Sequence, residues 1–103
     1  MAMTPEGKVK KEIDKILVSY GERLVWFKPA TGGYGRSGIS DYAGCVDGNF
    51  FSIEAKSPVG KPTALQIKFM ASVEAAGGTA LVCDGTNYAE LRVRLNRLME
   101  KSM

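Results

Sequence analysis

The chain has 103 residues, 45% of them hydrophobic, which fits one small domain with a modest core and leaves room for oligomerisation. Its formal charge of +3, from 14 basic and 11 acidic residues, permits a polyanionic partner without requiring one. The absence of histidine excludes Ser-His-Asp triads, histidine general bases and histidine-containing zinc sites, and two cysteines are too few for a disulfide framework or a four-cysteine zinc site.

Cys45 and Cys83 lie in apolar runs and read as buried thiols of a cytoplasmic protein. The first residues, MAMTPEGKVKKE, contain no apolar signal-peptide core. No apolar run approaches the length of about 18 residues that a membrane span needs, and no internal repeat is visible.

In chain order, Thr4 followed by Pro5 and Glu6 predicts a helix start, with Val9, Ile13, Ile16, Leu17 and Tyr20 at helical spacing and Gly21 as the closing residue. Residues 24–28, LVWFK, read as a short strand, with Trp26 and Phe27 either in the core and the sheet or a stacking platform. A glycine-rich loop follows, PATGGYGRSG, in which Tyr34 and Arg36 either meet a nucleic acid or are exposed turn residues. Residues 41–46 and 49–56 read as a β-hairpin around Asp47 and Gly48, a preferred pair for a type I′ turn. After the loop SPVGKP, residues 63–76 read as a helix in which Thr63 and Gln66 have capping-box spacing. Residues 79–83 predict a short apolar strand. A last helix capped by Thr86 or Asn87 runs to about Met99, with Leu91, Val93, Leu95 and Leu98 as its apolar side. Arg92, Arg94 and Arg97 are its basic residues, either a solvated face or phosphate contacts. The order is αβββαβα, a mixed sheet flanked by helices, with a right-handed parallel crossover through the second helix.

The hairpin raises a chemical question. With a two-residue loop, Val46 faces Asn49 and, five residues further, Asp41 faces Glu54. Opposed residues share a face with Cβ atoms roughly 4.5–5.5 Å apart, and like charges there repel. A three-residue loop would leave Asp41 only diagonal to Glu54. Protonation, solvation or a shared cation would relieve the repulsion, and a hard divalent ion with oxygen ligands does so most economically. Lys56 shares the face of Glu54, whereas Phe51, Ile53 and Ala55 face the core.

An acid, a hairpin, then Glu-x-Lys, then a helix bearing Gln resembles the PD-(D/E)XK nuclease superfamily. The segments TPEGKVKKEIDKIL, SGISDYAGCVDGNFFSIEAK and GKPTALQIKFMASVEAAGG, spanning about residues 4–83, resemble more closely its virus-type replication-repair nuclease domain, VRR-NUC. The resemblance implies a restriction-endonuclease-like α/β fold and an Mg²⁺- or Mn²⁺-dependent endonuclease. It also implies branched DNA as substrate, such as four-way junctions or flaps, a homodimer, and a phage or prophage source. Carried over position by position, Asp41 and Glu54 would be metal ligands, with the Ala55 carbonyl joining them. Lys56 would orient or activate the attacking water, Gln66 would hold the site, and Glu6 would be the acid of the first helix. Ser40 stands where the family usually has Pro before the Asp.

The residues leave alternatives open. Glu6 either serves the site or favours the positive end of its helix. Gln66 is either a site residue or half of a capping box, and Lys61 is either a phosphate contact or a solvated loop cation. Two other readings of the whole chain stand beside the enzyme: a non-catalytic DNA-binding module carried by its basic residues, and a small α/β interaction subunit.

Overall fold

The computed structural model describes residues 3–30 and 38–100. Helix α1 (Pro5–Val18) leads through a 3₁₀ turn (Gly21–Arg23) to β1 (Leu24–Phe27), β2 (Tyr42–Val46), β3 (Asn49–Ala55), α2 (Ala64–Ala75), β4 (Thr79–Cys83) and α3 (Tyr88–Glu100). The strands form one sheet in the order β1-β2-β3-β4, antiparallel through β3 and parallel between β3 and β4. This is the mixed sheet flanked by helices that the hydrophobic pattern predicts.

Local chemistry accounts for the element ends. Thr4 Oγ1 accepts a hydrogen bond from the Gly7 N–H at 3.0 Å, and Pro5 occupies the first turn, where its missing N–H costs nothing. The far end departs from expectation. The helix stops at Val18 with Ser19 as its cap, and Gly21, at φ 63°, opens the 3₁₀ turn instead of closing the helix. Asp47 (φ 48°) and Gly48 (φ 83°) both lie in the left-handed region, as a type I′ turn requires. The Asp47 carboxylate pairs with Arg23 beside the turn. The register is that of the two-residue loop: Val46 faces Asn49, and Tyr42 faces Ile53.

The core lies between the sheet and helices α1 and α3. Val9, Ile13, Ile16 and Leu17 of α1 and Leu91, Leu95 and Leu98 of α3 pack on Tyr42, Val46, Phe51, Ile53, Leu81 and Cys83. Helix α2 contacts β3 and β4 from the opposite face, so Ser52 and Glu54, which alternate with core residues, are buried as well. β3 is therefore covered on both sides at its C-terminal end.

Three expectations are corrected. Val93 is 47% exposed: it lies two residues from Leu91, about 200° around the helix, and so turns away from the core. Cys83 is buried, but Cys45 is exposed. Its ladder partners, Val25 and Phe50, are exposed with it on the outer face of β1 and β2. Phe27 lies on that face too and is 55% exposed, whereas Trp26 packs on Tyr42 with ring centroids 5.8 Å apart.

Candidate active site

The end of β3 carries the candidate site, and the hairpin register brings Asp41 to it. Asp41 stands one residue before β2, where the ladder with β3 has ended. Its carboxylate replaces the next rung: Oδ2 accepts a hydrogen bond from the Ala55 N–H at 2.8 Å. Upstream, Gly38 has φ 81°, and a Cβ there would lie 2.5 Å from the Leu65 carbonyl oxygen. A residue without a side chain thus lets the approach to Asp41 pass against the first turn of α2.

Glu54 is 2% exposed. Its Oε1 accepts a hydrogen bond from Gln66 Nε2 at 2.9 Å and lies 3.9 Å from Lys56 Nζ. Its Oε2 is buried with no hydrogen-bond partner. Burial, then the adjacent Asp41 carboxyl, push the Glu54 carboxyl up from its usual 4.5 to about 8; Lys56 opposes this and Glu6 adds to it. The crowding of Asp41 and Glu54 is thus met in part by protonation of Glu54.

Gln66 serves both of its expected roles. Its Oε1 accepts from the Thr63 N–H at 2.8 Å, and the Gln66 N–H donates to Thr63 Oγ1 at 3.2 Å, completing the capping box. The Nε2 end of the same amide remains free to hold Glu54. Glu54 is therefore oriented by a side chain that the start of α2 itself locks in place.

Helix α1 brings a second group of charges to Asp41. Lys10 Nζ lies 3.4 Å from Glu6 Oε2 and 3.7 Å from Asp41 Oδ1. Lys28 Nζ, just beyond β1, lies 3.1 Å from Asp14 Oδ2 and 5.6 Å from the Tyr42 ring centroid. The Tyr42 hydroxyl donates to Asp14 Oδ1 at 2.7 Å and lies 2.9 Å from the Lys10 carbonyl oxygen. Burial first, and Asp14 next, raise the phenol pKa, so Tyr42 stays a neutral donor. A cleft of about 220 Å³ opens here, lined by Lys10, Lys28, Pro29, Asp41 and Tyr42.

Of the sequence candidates, Asp41, Glu54, Ala55, Lys56 and Gln66 come together. Glu6 is half-exposed and reaches Asp41 only through Lys10. Lys61 is exposed in the loop between β3 and α2. Tyr34 and Arg36, with Gly32, Gly33 and Gly35, lie outside the described residues. Lys28 is legible in the sequence as the cation at the entry of the glycine-rich loop, whereas Lys10, Asp14 and Tyr42 are not legible as site residues. Lys10 carries one usable sign, its four-residue spacing from Glu6 on one helix; its meeting with Asp41 is a tertiary contact.

The donor set suits a hard cation. Two carboxylates converge, and one presents a buried oxygen with no partner. Among the described residues, no three Asp, Glu, Cys or His side chains are grouped to hold a metal by themselves. Mg²⁺ commonly takes only one or two carboxylates, leaving waters and phosphate oxygens to complete its shell. Two carboxylates, Asp41 and Glu54, stand together here at the Ala55 backbone. No protein-family model, curated protein or solved structure matches the chain.

Proposed function

We propose that this chain is a divalent-metal-dependent endonuclease of the VRR-NUC kind, with a restriction-endonuclease-like fold. One observation carries the reading: the Glu54 carboxyl is buried at a strand end beside Asp41, with one oxygen fixed by Gln66 and the other without a partner. In the metal-free chain a proton on Glu54 offsets part of the cost of burying this carboxyl beside Asp41; a bound cation would offset that cost with Glu54 ionised.

Asp41, Glu54 and the Ala55 carbonyl would hold Mg²⁺ or Mn²⁺, with Glu6 as the acid available from α1. The ion, when bound, supplies a water of lowered pKa and offsets charge on the phosphate. The chain's own residues do the rest. Gln66 keeps Glu54 Oε1 engaged, so that Oε2 is the oxygen presented to the site. Lys56, its side chain 14% exposed, stands close enough to Glu54 to hold the attacking water or to donate to a phosphate oxygen. Lys61, Tyr34 and Arg36 would contact the nucleic-acid backbone or a base.

The partner is DNA, branched as a four-way junction or flap, cut by a homodimer in the cytoplasm of a phage-infected or prophage-bearing cell. A two-fold pair suits a substrate that needs two symmetric nicks. No described helix is long and apolar enough to cross a membrane.

The test incubates labelled junction, flap and linear duplex DNA with Mg²⁺, Mn²⁺ or EDTA. Cleavage should require the metal. It should fall by roughly a hundredfold or more in Asp41→Asn and Glu54→Gln, since even partners that merely orient metal ligands are worth 10–100-fold. A folded wild type that cuts none of the three substrates sinks the proposal. DNA binding without cleavage would instead favour a non-catalytic DNA-binding module. The pairing of Glu6 with Lys10, which leaves two carboxylates at the strand end among the described residues, favours that second reading.

A further inference from the structure

Lys10 lies one helical turn beyond Glu6, and its ammonium group stands between two candidate ligands of the proposed site. The distances are 3.4 Å to Glu6 and 3.7 Å to Asp41. The Tyr42 hydroxyl lies 2.9 Å from the Lys10 carbonyl oxygen, and the Lys10 side chain lines the cleft that opens on Asp41. An ammonium and a divalent cation satisfy a carboxylate by the same means, positive charge at short range, so they compete for Asp41 Oδ1. The Lys10 side chain is 39% exposed and that of Asp41 26%. Ion pairs this open to water are weak and readily exchanged. Next to them Glu54 Oε2 remains buried and unpartnered, so one ammonium only partly fills the demand for positive charge.

We infer that Lys10 is a tethered counter-ion: it pairs with Glu6 and Asp41 when no metal is bound, leaves Asp41 when a divalent cation binds, and thereby sets the cation affinity of the site. The inference rests on the metal-binding reading above. A lysine tethered in this way keeps the acids of α1 and the hairpin together before metal and substrate arrive. It then places a free ammonium at the rim of the cleft.

The test is calorimetric titration of the intact, metal-stripped chain with Mn²⁺ alone, without DNA, so that binding is read apart from cleavage. Lys10→Met keeps the aliphatic stem and removes the competitor; it should bind Mn²⁺ roughly three- to tenfold more tightly. Lys10→Arg should stay near wild type. Lys28→Met removes a charge from the same cleft but from a lysine paired with Asp14, and should change affinity by less than about twofold. Equal tightening in Lys10→Met and Lys28→Met would mean only a general field effect, and would overturn the inference. Unchanged or weaker binding in Lys10→Met would overturn it too, leaving the metal site intact. If neither wild type nor Lys10→Met binds Mn²⁺, or if Asp41→Asn binds it as well as wild type, the metal reading falls and takes the inference with it.

Discussion

Glu54 concentrates the tension in this molecule, because a side chain chosen for charge is placed where charge is costly. Its raised pKa has a definite consequence for the metal-free protein. Between about pH 4.5 and pH 8 the folded chain holds a proton on Glu54 that the unfolded chain has released. Folding then binds more protons than unfolding, so stability falls as pH rises through that window. Below it both states are protonated and no penalty is felt; above it the full cost of the buried charge is present. The slope approaches 1.4 kcal/mol per pH unit at most, about the value of one titrating proton. Urea unfolding at several pH values with metal chelated should show this decline, and Glu54→Gln should flatten it. An unchanged slope in Glu54→Gln would mean that other groups dominate. The carboxylate was visible in the sequence, and the like charge opposite it followed from the Asp47-Gly48 turn. The lone oxygen was not visible, since it depends on how α2 covers β3.

Helix α2 shows how one element can serve capping and chemistry together. Thr63 and Gln66 were legible as a capping box from spacing alone, because the box is a contact between near neighbours. That the Gln66 amide also reaches Glu54 depends on the passage of the chain from β3 through the 56–63 loop, which no local rule specifies. The two roles can be separated. Thr63→Ala removes the cap and should cost about 1 kcal/mol, with cleavage near the wild-type rate. Gln66→Ala removes the cap and the Glu54 donor; it should cost about 2 kcal/mol and lower cleavage by roughly tenfold or more. Thermal unfolding and junction cleavage, measured side by side, check the pair. Equal cleavage in the two variants would reduce Gln66 to a structural residue. Element ends were harder to read than elements. α1 stops before Gly21 because the Ser19 and Tyr20 N–H groups already satisfy its last carbonyls, those of Lys15, Ile16 and Leu17.

At the scale of the whole molecule, the sheet is covered unequally. α1 and α3 pack on one face, while α2 contacts the other over β3 and β4. Val25, Phe27 and Phe50 therefore remain exposed beside β1 and β2, and Phe50 continues into a groove with Phe69 and Val73. A small chain with an apolar face of this kind is suited to pairing. The homodimer proposed above is expected to bury it. Light scattering at micromolar concentration should give twice the chain mass, and Val25→Ser with Phe27→Ser should shift the protein toward the monomer. A monomeric wild type would remove the dimer from the proposal while leaving the chemistry of the site untouched.

Periodicity and turn chemistry by themselves determined the strands and helices and the hairpin register that brings Asp41 beside Glu54. These depend on contacts between near neighbours and on the strict alternation of a strand. Burial of both faces of β3, exposure of Cys45 and Val93, the second role of Gln66 and the arrival of Lys10 at Asp41 were decided by the tertiary structure alone. Each of these depends on which helix lies over which part of the sheet, and such long-range packing leaves no periodic trace in the chain.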